Sequence, residues 1–121
     1  MKVNQISHQV IGAAIEVHKN LGPGLLESTY HACLLHELNQ KGFYIETEKV
    51  LPVVYKELTL QKAYRIDLLI ENILVVELKS VEAITSTHLA QVLTYMKLGE
   101  FPHGLLINFN VDQLVKGVKR L

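Results

Sequence analysis

One cysteine, three prolines, no tryptophan and no net charge (12 basic side chains against 12 acidic ones) remove several possibilities at once. With Cys33 alone there is no intramolecular disulfide and no cysteine-based zinc cluster; its register with Leu34, Leu35 and Leu38 makes it a core side chain. No apolar run approaches the ~18–20 residues that a bilayer-spanning helix needs, and the opening Met1-Lys-Val-Asn-Gln-Ile-Ser-His8 lacks the apolar stretch of a secretory signal. A cytoplasmic protein with no membrane partner is expected. The balanced charge counts against a protein that coats nucleic acid nonspecifically, because that mode draws on clustered lysine and arginine. There are six histidines, but His31 and His36 stand five apart, off one helix face, so a histidine-based metal site is not expected. Gly22-Pro-Gly24 is not followed by the Lys-Ser/Thr of a nucleotide-binding loop, and no serine or cysteine sits in a strand-to-helix elbow.

What is present suits one compact domain over residues 1–121, with 49% hydrophobic side chains, enough at this length for a real core. Ile6, Val10, Ala13, Ala14 and Val17 recur at spacings of three and four, which predicts a helix over about Asn4–Asn20. Leu21-Gly-Pro-Gly24 stops it. A second helix is expected from Glu27 to Gln40, with Gly42 as its left-handed cap. The period then changes to two. Phe43–Val50 reads as a strand, Val53–Tyr55 as another with Pro52 marking an edge or bend, and Lys56–Lys62 as a polar turn. Apolar strands over Ala63–Ile70 and Ile73–Ser80 follow. A helix from Ser86 to Leu98 ends at Gly99, His103–Phe109 forms a buried strand, and Val115–Leu121 closes the chain as an edge strand or helical turn. The order ααββββαβ is an α/β sandwich around a mixed sheet.

Charge inside the central strands is the feature that calls for chemistry. Asp67 lies within one apolar run, and Glu77 and Lys79 within the next. A buried carboxylate costs several kcal/mol unless a cation, a metal or hydrogen-bond donors pair with it. A divalent-metal site for phosphodiester cleavage accounts for all three residues, whereas a salt bridge of Lys79 with one carboxylate leaves the other unpaired. Geometry adds a condition. If Glu71-Asn72 were a plain two-residue turn, Asp67 would oppose Val76 and Glu77 would point to the other face. Sharing an ion therefore requires an odd-numbered loop, such as one of five residues, or a bulge. Glu77 and Lys79 share a face automatically.

Asp67, Glu77 and Lys79 in this spacing resemble the core motif of the PD-(D/E)XK nuclease superfamily. Gly24-Leu-Leu-Glu27-Ser-Thr-Tyr30, led in by Leu21-Gly-Pro, is similar to the signature of the GxxExxY family of small bacterial and archaeal proteins within it. Gln91-Val-Leu-Thr-Tyr95 is similar to the QxxxY helix motif of the exonuclease-type branch, and Gly104-Leu-Leu-Ile-Asn-Phe109 also fits. The resemblance runs from about Ile6 to Arg120.

It implies a restriction-endonuclease-like fold and a Mg²⁺-dependent (or Mn²⁺-dependent) nuclease acting on DNA. Asp67 and Glu77 would be metal ligands, joined by the Leu78 backbone carbonyl and by Glu27 at the start of the second helix. Glu27 is otherwise an acidic residue at a helix N-terminus, where such residues are favoured anyway. Lys79 would be the catalytic cation. Gln91 and Tyr95, with His88 on the same stripe, would orient substrate and carboxylates while Leu89, Val92, Leu93 and Met96 face the core; a solvated polar face is the plainer alternative. Tyr30 would hold a phosphate or simply pack, and Arg65 and Lys97 would contact phosphate or stay solvated. The alternative function is a non-catalytic or partner-dependent nucleic-acid-binding module that keeps the fold. Because a neutral chain offers few phosphate contacts, a homodimer or a protein partner that delivers the substrate is also expected, with Phe43–Ile45 and Val53–Tyr55 as candidate pairing strands.

Overall fold

The structure, a computed structural model, describes residues 2–121. Helix α1 spans Val3–Leu21 and buries Ile6, Val10, Ala13, Ala14 and Val17, the face expected from their spacing. It stops where Gly22 and Gly24 turn into left-handed backbone, with φ of 70° and 95°, which only glycine adopts without strain. Helix α2, Glu27–Asn39, buries Tyr30, Leu34 and Leu38. Five strands follow: β1 Ile45–Tyr55, β2 Leu58–Ile70, β3 Leu74–Lys79, β4 His103–Asn108 and β5 Val118–Arg120, arranged in that order in one sheet. Neighbours are antiparallel except β3 and β4, which run parallel. That pair needs a crossover, and helix α3, Ser86–Gly99, makes it.

Three layers result. Helices α1 and α2 cover one sheet face, where Leu68, Ile70, Leu74, Val76, Leu78, Leu105 and Ile107 point. Helix α3 covers the other through Val92 and Tyr95, against Leu51, Ile66, Leu69, Val75 and Leu106. No helix among the described residues is long and apolar enough to cross a membrane.

Several expectations change. Residues 45–55 form one strand rather than two: the register moves from Leu51↔Tyr64 to Val53↔Leu60 around Pro52, and on this edge strand the missing proline N–H costs no ladder bond. The polar run after it is mostly strand as well. Tyr55 pairs with Leu58 across a two-residue turn at Lys56-Glu57. A ribbon solvated on both faces carries no alternation to distinguish it from a loop.

On α3, Leu93 is 50% exposed while Tyr95 is buried, so tyrosine and leucine exchange the faces expected for them. Gly99 is still helical, and Glu100 takes the left-handed turn at φ 57°. A side chain at Gly99 would overlap the ring of Phe101. At the end of the chain both forms occur in succession, a 3₁₀ turn over Leu114–Gly117 and then β5 against β4.

Candidate functional site

The candidate site lies where β2 and β3 part. Their pairing runs through Ile70↔Leu74, Leu69↔Val75 and Leu68↔Val76, and there it ends. The loop is thus Glu71-Asn72-Ile73, odd-numbered, and the same register carried one step further sets Asp67 opposite Glu77. Glu71 and Asn72 both take left-handed backbone, and Ile73 N–H closes the turn on Ile70 O at 3.0 Å.

Beyond Leu68 the carboxylates replace the ladder. Leu78 N–H donates to Asp67 Oδ2 at 2.9 Å, and Asp67 N–H approaches Glu77 Oε1 at 3.4 Å. The other side of β2 is interrupted at the same level. Thr47↔Leu68 and Lys49↔Ile66 are paired, Glu48 and Asp67 between them are not, and Glu48 has φ 52°. Ile66 and Leu69, of opposite parity along one strand, consequently both reach the core under α3.

Electrostatics make Glu77 the focus. It is 4% exposed. Burial, then the charge of Asp67 and a hydrogen bond between the two carboxyls, push its pKa from the ordinary 4.5 up to about 8, the behaviour of like charges sharing a dry site. Lys79 Nζ stands 3.9 Å from Glu77 Oε2, too long for a hydrogen bond, and lowers that pKa only in part. At about 8, the Glu77 carboxyl holds its proton at neutral pH. Tyr95 faces the same charge from α3. Burial first, then Glu77 and Asp67, push its hydroxyl to about 12, and a hydrogen bond with Gln91 opposes the shift. Gln91 and Tyr95 are therefore together, at the edge of the carboxylate pair.

On the α2 side a cleft of ≈260 Å³ is lined by Glu27, Ser28, His31, Glu48, Asp67 and Leu78. Glu27 Oε1 accepts Ser80 N–H at 3.3 Å, which ties the start of α2 to the residue after Lys79. His31 Nε2 lies 3.1 Å from the Asp67 carbonyl. Tyr30, the phosphate candidate, is placed differently: it is fully buried, stacks on Phe109 at 4.4 Å, and uses its hydroxyl on Gly22 O and Leu25 N–H. Packing is the role that geometry leaves it. Arg65 is engaged with Glu48 at 3.5 Å on the surface. His88 caps α3, its Nδ1 accepting Thr85 N–H at 3.0 Å.

For a metal the donor set is right in kind, since carboxylate and carbonyl oxygens are the ligands Mg²⁺ and Mn²⁺ take. Among the described residues, however, no three acidic, histidine or cysteine side chains are grouped as a ligand set. Asp67 and Glu77 stand together, and Glu27 is held on Ser80. The residues fit a two-carboxylate site whose other positions fall to a backbone carbonyl, water and substrate oxygens.

Two residues escaped the sequence reading. Glu48 joins the cleft because the β1–β2 register sets it beside Asp67, which nothing local in Ile45–Tyr55 indicates. Asn108 did carry a signal: it is a polar residue closing an apolar strand, as Asp67 and Glu77 are polar within theirs. It is 2% exposed, lies across from Lys79 in the parallel pair, and holds both Val81 N–H (3.1 Å) and Val81 O (2.9 Å). The strand carrying Lys79 is thereby anchored just past its end.

Compared with known families, the chain matches the sequence model of the PD-(D/E)XK nuclease superfamily over residues 4–121. No curated protein and no solved structure matches it.

Proposed function

The chain belongs to the PD-(D/E)XK nuclease superfamily, and from that premise we propose that it hydrolyses phosphodiester bonds of DNA at the Asp67–Glu77–Lys79 centre with a divalent ion. The observation that carries this reading is the pairing of Asp67 and Glu77 across the β2–β3 gap. A buried carboxyl pushed toward its protonated form by burial and by a second carboxylate favours a hard cation in place of that proton. Asp67, Glu77 and the Leu78 carbonyl would hold Mg²⁺ or Mn²⁺, with Glu27 in the cleft that Asp67 and Leu78 also line, and the ion would supply Lewis acidity to the phosphate and to the attacking water. The signature Gly24–Tyr30 supports placement in the GxxExxY group.

The protein's own groups have definable work in that reaction. Water attacks phosphorus in line with the departing ester oxygen, and negative charge grows on the phosphoryl oxygens. The Lys79 ammonium, half-buried and held on the same strand as Glu77, offsets that charge and favours proton loss from the attacking water. Its main chain does not drift, because Phe109 N–H donates to Lys79 O at 2.9 Å. Tyr95, hydrogen-bonded to Gln91, faces the carboxylate pair from the α3 side, where the two would orient substrate. The experiment is incubation of the purified protein with labelled single- and double-stranded DNA and Mg²⁺ or Mn²⁺, beside Glu77→Ala and Lys79→Ala. Cleavage by the parent alone is expected; equal activity of the variants would trace the cleavage to a contaminant.

A second reading, a binding or assembly module that keeps the fold without turnover, draws on the balanced charge of 12 basic against 12 acidic side chains, which leaves few phosphate contacts. Binding without cleavage in the same assay would select it.

A further inference from the structure

Strands β1 and β2 extend well past the rest of the sheet. β3 accompanies β2 only over Leu68–Ile70, whereas β1 and β2 stay paired from Ile45↔Ile70 out to Tyr55↔Leu58. The outer part is a two-stranded arm. On one face it exposes Tyr55, Leu58, Leu60 and Tyr64, the last at 43%, and on the other Val50 and Val54. An apolar and aromatic surface of that kind marks an interaction site more often than a solvated edge. At its base, Val50, Lys62, Tyr64 and Arg65 line a concavity of ≈520 Å³. The Tyr64 ring lies 6.0 Å from that of Tyr95, tilted by 60°, so the arm is continuous with the carboxylate centre.

We propose that this arm binds the unpaired strand of a single-stranded nucleic acid, with Tyr64 as a base-stacking platform and Lys62 as a phosphate contact, and feeds it to the Asp67–Glu77 centre. The proposal deepens the nuclease reading and rests on it. Charge separates a single strand from a duplex here. Duplex affinity is dominated by clustered phosphate contacts, but the arm's cations are largely engaged: Lys49 with Glu46 at 2.8 Å, Arg65 with Glu48 at 3.5 Å, and Lys56 over the Tyr55 ring at 5.3 Å. Lys62 has no ion pair among the described residues. A neutral chain with exposed tyrosines obtains affinity from the faces of bases, which a duplex keeps stacked inside and a single strand offers with little regard to sequence.

The test is fluorescence anisotropy on the full chain in EDTA, so that binding is read without cleavage. The probes are a labelled single-stranded oligonucleotide, its duplex, and an abasic strand of equal length. The single strand is expected to bind roughly ten-fold or more tighter than either of the others, because each stacked base contributes on the order of that factor, and with a shallow salt dependence. Tyr64→Ala should lose about ten-fold and Tyr64→Phe should keep binding. Lys62→Ala, on an exposed strand position, provides a weaker loss in a variant whose folding is not in question. Equal affinity for the abasic strand, tighter binding of the duplex, or no binding at all overturns the proposal. So does a mass change in sedimentation for Tyr55→Ala with strand affinity untouched, which would make the arm a contact between copies of this chain. Single-strand binding by a protein that cleaves nothing with Mn²⁺ leaves the arm in place and removes the catalytic reading instead.

Discussion

Replacing Glu77 by glutamine tests the centre without an activity assay. In the folded chain the Glu77 carboxyl is held at about 8, against an ordinary 4.5. A raised folded-state value means the native protein binds the extra proton. The stability this contributes is fully present below about pH 4.5 and is lost as pH rises through about 8. At ~1.4 kcal/mol for each pH unit of separation, ionising Glu77 in the metal-free protein costs about 3–5 kcal/mol, part of which local relaxation recovers. Glutamine keeps an acceptor for Asp67 N–H and offers that carboxylate an N–H donor, but carries no charge. Thermal melts of both proteins in EDTA should therefore nearly coincide at pH 5 and diverge toward pH 8.5, with the variant ahead by roughly 10–20 °C for a chain of this size. Parallel curves across the range, or a variant less stable at pH 8.5, would refute the view that two carboxyls press on each other in a dry gap.

Other expectations follow from the same geometry. Mn²⁺ at a hundred times its dissociation constant should stabilise the parent by about 2.7 kcal/mol and leave the melt of Asp67→Asn unmoved; an unchanged parent midpoint at millimolar Mn²⁺ would remove the ion site. Lys79→Met is expected to lower the cleavage rate by about 10²–10³ while keeping the Mn²⁺ shift, so loss of both together would make Lys79 a structural partner of Glu77 only. Tyr30→Phe leaves Leu25 N–H and Gly22 O without their partner and should cost ~1–3 kcal/mol in urea unfolding, with cleavage per folded molecule unchanged; a fall in cleavage at full stability would return Tyr30 to the substrate. Asn108→Ala removes both bonds to Val81 and should cost ~2–4 kcal/mol, with faster amide exchange at Val81 as its local signature.

Much of the architecture was legible in the chain because local chemistry dictates it. Spacings of three and four around Ile6 and Val17 require an amphipathic helix, Gly22 and Gly24 end it, and the apolar runs on either side of Glu71-Asn72 require buried strands. Charge at Asp67, Glu77 and Lys79 inside such runs marks a site, since it is too costly to be incidental. The motif spacing led to the same superfamily that the family comparison finds over residues 4–121.

Other properties had no local cause and were decided only by the tertiary structure. The Leu68↔Val76 register sets Asp67 against Glu77, and strand alternation alone leaves that parity open. Glu48 reaches the cleft because the two strands of the β1–β2 hairpin stop pairing at its level. Tyr30 and Tyr95 are both buried, yet one is tied to the Gly22 turn and the other faces the carboxylates, a difference made by which sheet face each helix covers. The raised Glu77 carboxyl is the clearest case. A sequence names the acid, but only folding removes the water around it and brings a second negative charge beside it.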